Sequence, residues 1–76
     1  MQTFDHDLDT RGLNCPMPIL KAKKTIADLE AGQVLRVAAT DPGAVKDFEA
    51  FCRQSGHELL ESAAADDAFV FLIRKR

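Results

Sequence analysis

Two prolines one residue apart, Pro16 and Pro18, follow directly on Cys15 and constrain this chain more than any other stretch. Neither fits inside a helix, because each lacks an N–H and its ring clashes with the preceding turn. Both fit a first turn, where the amide hydrogens have no intrahelical acceptor. A helix is therefore predicted to begin at Pro16, with Cys15 as its N-cap. A thiol there feels the positive end of the helix dipole, which favours thiolate over thiol. Because Pro16 and Pro18 remove two local donors, the expected depression of the thiol pKa is moderate. Free cysteine is among the most buried residue types, so a buried residue that happens to precede a helix is the plain alternative. Gly12 and Asn14 suit an exposed loop at a helix entrance and favour an accessible thiol instead.

The remainder of the sequence bounds what such a thiol can belong to. Seventy-six residues, 46% hydrophobic and 29% charged, make one globular domain spanning 1–76 with no room for a second core. A net charge of −2 argues against strong direct nucleic-acid binding or attraction to an anionic membrane. The local basic clusters are Lys21, Lys23 and Lys24, and the run Arg74-Lys75-Arg76. Cys15 and Cys52 are too far apart for a CxxC redox pair and too few for a disulfide framework. The N-terminal residues show neither the basic nor the apolar region of a signal peptide. The longest apolar run, Ala68 to Ile73, is too short to cross a bilayer. A reduced, cytoplasmic protein is expected.

Periodicity gives the order of elements. Thr3 to Leu8 reads as a weak strand, followed by a polar turn from Asp9 to Asn14. The first helix is predicted over 16–30, with Ile19, Ala22, Ile26 and Leu29 inward, Leu20 and Ala27 widening the stripe, and Gly32 ending it. Val34 to Thr40 is a strand. Asp41-Pro42 then reads as an N-cap acid with proline in the first helical position. The second helix carries Ala44, Val45, Phe48, Phe51 and Cys52 inward and Lys46, Asp47, Glu49 and Arg53 outward, and stops at Gly56. His57 to Ala64 is a strand, Asp66-Asp67 a turn, and Ala68 to Lys75 the strongest strand. Its two sides are both apolar, so it is expected to be central and covered on both faces. The fold class that follows is α/β (α+β): a two-layer βαβαββ sandwich, with two helices packed on one face of a four-stranded mixed sheet.

Other chemistries find little support. A Cys-His hydrolase would have to use His6 or His57, and neither has a recognisable partner pattern. No cysteine or histidine pair stands at metal-ligand spacing, and the isolated glycines build no phosphate loop, so no metal and no cofactor are expected. Phe48, Phe51, Phe69 and Phe71 sit at core spacing rather than as base-stacking platforms. What remains is one accessible thiol near a set of lysines, which can attack a sulfur electrophile, hold the product covalently and be attacked in turn. Cys52, on the inward face of the second helix, reads as an inert core residue.

The stretch Asp9-Thr10-Arg11-Gly12-Leu13-Asn14-Cys15-Pro16-Met17-Pro18 resembles the signature of the TusA/SirA-like sulfur-carrier family, whose hallmark is a CPxP motif. The resemblance continues through Lys23-Lys24, Asp41-Pro42, Phe51-Cys52, His57-Glu58-Leu59-Leu60 and Leu72-Ile73-Arg74-Lys75, covering nearly the whole chain. It implies the same βαβαββ fold and a persulfide carried on Cys15. Gly12, Pro16 and Pro18 would be supporting motif residues, with Lys23 and Lys24 assisting docking or persulfide stabilisation. The implied partners are a cysteine desulfurase or other sulfur donor and a downstream sulfur-relay protein. The best-known branch ends in 2-thiolation of tRNA uridine and has an acidic residue where this chain has Met17. Other branches serve molybdenum-cofactor assembly or sulfur oxidation. Two readings from other classes stay open. One is a small regulatory or RNA-binding domain using Lys21, Lys23, Lys24 and Arg74 to Arg76. The other is a thiol-redox protein cycling a Cys15–Cys52 disulfide, which would need Cα atoms within about 7 Å.

Overall fold

A computed structural model describes residues 4–76. The elements run β1 (His6–Thr10), α1 (Met17–Ala27), β2 (Val34–Ala39), α2 (Ala44–Ser55), β3 (Glu58–Ala65) and β4 (Ala68–Arg74). The strands form one mixed sheet in the order β1-β2-β4-β3. β1 lies parallel to β2, while β4 is antiparallel to both β2 and β3. This is the expected two-layer arrangement, and β4 is interior to the sheet.

Alternation along the strands decides which face holds the core. Leu35, Val37 and Ala39 of β2 and Phe71 and Ile73 of β4 point one way, and all are buried. Ala22 and Ile26 of α1 and Ala44, Phe48, Phe51 and Cys52 of α2 close over them. At the centre the rings of Phe48 and Phe71 stack with centroids 4.6 Å apart, tying α2 to β4. Burying a side chain of this size contributes roughly 1.5–3 kcal/mol, a large share of what a small domain has in hand.

Among the described residues no helix covers the other face of the sheet. That face presents Ala38 and Val70 among Asp7, Asp9, Arg36 and the β3–β4 turn, around an open cavity of about 440 Å³. Coverage of both sides of the last strand therefore holds for Leu72, which is buried, and not for Val70, which is half-buried.

Several boundaries differ from the expectation, each for a tertiary reason. The predicted start of β1 at Thr3 lies outside the described residues, and the strand continues to Thr10. Parallel pairing with β2 carries it through polar residues. Thr10 becomes fully buried and donates its hydroxyl to the Ala38 carbonyl at 2.6 Å, which satisfies it there. Helix α1 ends at Ala27 rather than Glu30, because the amides of Asp28 and Leu29 reach back only three residues, to Thr25 and Ile26. Leu20 is 49% exposed and Ala27 is exposed, so neither widens the buried stripe. Helix α2 starts at Ala44 with Gly43 as N-cap and no capping side chain, so Asp41 is not the cap. Asp41 instead opens a turn whose carbonyl accepts the Ala44 amide at 3.0 Å. The C-terminal end is as expected, with Gly56 left-handed at φ 86°.

Candidate functional site

The segment joining β1 to α1 is held at both ends. Gly12 adopts φ +83°, a conformation open mainly to glycine, and donates its N–H to the Thr40 hydroxyl at 2.9 Å. That bond fastens the loop to the end of β2. On the other side, the Met17 amide donates to the Asn14 carbonyl at 2.8 Å and the Leu20 amide to the Pro16 carbonyl at 3.1 Å, winding the chain into α1. Between these anchors Cys15 is exposed. The peptide bond joining it to Pro16 is cis.

The helix begins one residue later than the proline argument places it. Pro16 is the N-cap, Met17 and Pro18 open the first turn, and Cys15 stands outside the helix altogether. The sulfur is correspondingly less exposed to the dipole than an N-cap thiol would be. It faces carboxylates instead. The donor atoms of Cys15, Asp41 and Asp47 all lie within 4.8 Å of one another. Hydrogen bonding to Asp47, then desolvation, then the negative charges of Asp47 and Asp41 raise the thiol pKa above its ordinary value. The expected depression is thus reversed, since nearby negative charge disfavours the anion.

A shallow cleft of about 230 Å³ opens beside the sulfur, between α1 and α2. Its walls are Cys15, Pro16, Ile19 and Lys23 on one side and Asp47, Ala50, Phe51 and Gln54 on the other. The floor is apolar and the rim carries one cation, one carboxylate and one amide. Of the two lysines singled out from sequence, Lys23 lines this cleft while Lys24, near the end of α1, does not. Pro18 is buried beneath the helix start, so it supports the loop rather than facing the cleft.

Asp47 and Asp41 are the members that sequence reasoning missed. Asp47 has a helix-surface position by periodicity, and Asp41 carries a clear capping signature. Nothing local to either residue points toward Cys15. Together with the thiol they are described residues whose donor atoms could share a cation. Three mixed donors, one exposed and two half-buried, fall short of the closed thiolate or imidazole set that a structural zinc requires.

The remaining candidates are engaged elsewhere. Cys52 is buried in the core, and burial pushes its thiol up to about 11. Both cysteines are free. His57 accepts the Arg76 amide on Nδ1 at 3.0 Å just beyond the end of α2 and does not line the cleft. The terminal basic run is dispersed: Arg74 pairs with Glu58, and Lys75 donates to the Ala27 and Leu29 carbonyls. Among the described residues no helix is long and apolar enough to cross a membrane.

Comparison with known proteins gives consistent results across the chain. Residues 6–75 match the family described as Sulfurtransferase TusA. A sulfur carrier protein TusA from Allochromatium vinosum is 59% identical over 75 residues, covering 99% of each chain. The TusA sulfur carrier of Pseudomonas syringae pv. syringae is 42% identical over 74 residues, covering 97% of this chain and 88% of that one. In structure the chain is similar to a SirA-like protein from Desulfitobacterium hafniense. The TM-score is 0.83 at 26% identity, over 92% of this chain and 96% of that one.

Proposed function

From the premise that this chain belongs to the TusA sulfurtransferase family, we propose that it is a sulfur carrier and that Cys15 is its carrying residue. Cys15 accepts sulfane sulfur as a persulfide from a donor such as a cysteine desulfurase, and a downstream relay protein takes it away. The observation that carries this reading is an exposed thiol at the rim of a cleft whose other polar groups are Lys23, Asp47 and Gln54. A persulfide adds one atom to the side chain, and the cleft offers it an apolar wall and a cation. Exposure lets two larger partners reach the sulfur in turn, which exchange by thiol attack requires. Lys23 and Lys24 steer partners and hold the anionic persulfide near the surface. A free, exposed thiol suits a reducing cytoplasm. Synthesis of 2-thiouridine in tRNA is one pathway that such a relay would feed.

Incubation with a cysteine desulfurase and cysteine, followed by intact-mass measurement, tests the assignment. The wild type should gain about 32 Da per sulfur. Cys15→Ser should gain nothing, and Cys52→Ala should gain as much as the wild type. Cys52→Ala should also lose about 1 kcal/mol of stability from the vacated volume. Loading of Cys15→Ser would remove the carrier role from this residue. Failure of a folded Cys52→Ala to load would favour the redox reading.

A further inference from the structure

We propose that Asp47 is the positioning residue of the carrier cysteine: it holds the Cys15 thiol proton in the free protein and passes it on when sulfur arrives. The inference rests on the persulfide reading of Cys15 and deepens it.

The geometry singles out Asp47 from its neighbours. The groups with charge that face the thiol are Lys23 from α1, Asp47 from the first turn of α2, and Asp41 from the β2–α2 connection. Lys23 and Asp47 line the cleft with the sulfur, and Asp41 does not. Asp47 is thus the carboxylate that shares the cleft with the sulfur, its oxygen within 4.8 Å of Sγ. Asp47 is also half-buried, on a helix whose buried residues Phe48 and Phe51 fix its orientation. A carboxylate so placed disfavours the thiolate and lowers its fraction in the resting carrier. An exposed cysteine is thereby kept from reacting with unrelated electrophiles.

Transfer then proceeds without an outside oxidant. Cys15 Sγ attacks the terminal sulfur of the donor's persulfide. A new S–S bond forms to Cys15 as the donor's own S–S bond breaks, and the donor cysteine leaves as a thiolate with the bonding pair. Oxidation of the Cys15 sulfur is matched by reduction of the donor's sulfur. The Cys15 proton passes by way of the Asp47 carboxylate to the leaving thiolate. The leaving thiolate takes up that proton, so Asp47 does not retain it.

The test is the pH dependence of Cys15 alkylation by iodoacetamide, followed by mass spectrometry of the Cys15 peptide. Asp47→Asn should shift the profile downward by about half to one pH unit, giving about three- to tenfold more thiolate at neutral pH. Asp47→Glu should restore the wild-type profile, and Asp41→Asn should shift it less than Asp47→Asn does. If Asp47→Asn fails to fold, Asp47→Ser gives the same comparison. A profile for the folded variant that superimposes on the wild type would overturn the proposal while leaving the carrier reading intact. A wild type that gains no sulfur from a desulfurase would overturn the carrier reading, and the transfer step with it, whatever the alkylation profile.

Discussion

The Lys75 ammonium donates to the Leu29 carbonyl at 2.5 Å, so the tail of the last strand closes off the end of the first helix. A second bond, to the Ala27 carbonyl at 3.1 Å, makes this a cap on the negative end of α1. A lysine that reads in sequence as part of a basic cluster is thus committed to the fold. Lys75→Met should cost about 1–2 kcal/mol in urea unfolding, since it removes charge-assisted bonds to carbonyls that have no other helix partner. Sulfur loading should not change. A variant as stable as the wild type would show that the cap contributes nothing.

Gly12 offers a clean test of backbone conformation near the site. A Cβ built there meets no atom within 4 Å, so any penalty comes from φ +83° alone. Gly12→Ala should lose about 1–2 kcal/mol, and Gly12→Asn less, because asparagine tolerates the left-handed region better. Thermal melts of the pair decide it. Equal stability of Gly12→Ala and the wild type would mean that the loop relaxes into another conformation.

Lys23 and Lys24 differ in position, and this predicts a difference in effect. Charge reversal at both should slow sulfur exchange with a protein partner, most clearly at low ionic strength, where screening is weakest. Reversal of Lys23 alone should account for most of the loss, because Lys23 lines the cleft. Loading by a small polysulfide should be affected less. Stopped-flow transfer rates at two salt concentrations separate these outcomes, and unchanged rates would leave both lysines as ordinary surface charges.

His57 links stability to pH. Desolvation first, and then the charges of Lys75 and Arg76, lower its pKa below the usual 6.5. The unfolded chain therefore binds a proton more readily than the folded one. The stability contribution is complete above about pH 6.5 and is lost as pH falls toward the lower folded value. Protonation would also turn Nδ1 from acceptor into donor and break its bond to the Arg76 amide. Urea midpoints measured from neutral to mildly acidic pH should fall for the wild type and fall less for His57→Gln. Parallel slopes would assign the loss to other groups.

The order of elements, their number and the buried faces of α2 and β4 could be read directly from the residues. Those signals are local: the prolines at 16 and 18, the helix-stopping Gly56, and the spacing of Phe48, Phe51, Phe71 and Ile73 act through a few neighbouring residues. The same signals placed Cys15 at an exposed helix entrance. They misplaced the ends of β1 and α1, where pairing with β2 and the reach of Lys75 intervene.

The sign of the thiol's electrostatics belongs to the tertiary structure. By sequence alone, Cys15 caps a helix and feels its dipole, and a moderately lowered pKa follows. Packing α2 against α1 brings the carboxylates of Asp47 and Asp41 up to the sulfur and raises the pKa instead. Residues remote in the chain become the nearest charges, and Coulomb interaction depends on distance through space rather than along the backbone. The sequence determined that this chain presents a cysteine; the packing of its two helices decided which charges face the sulfur.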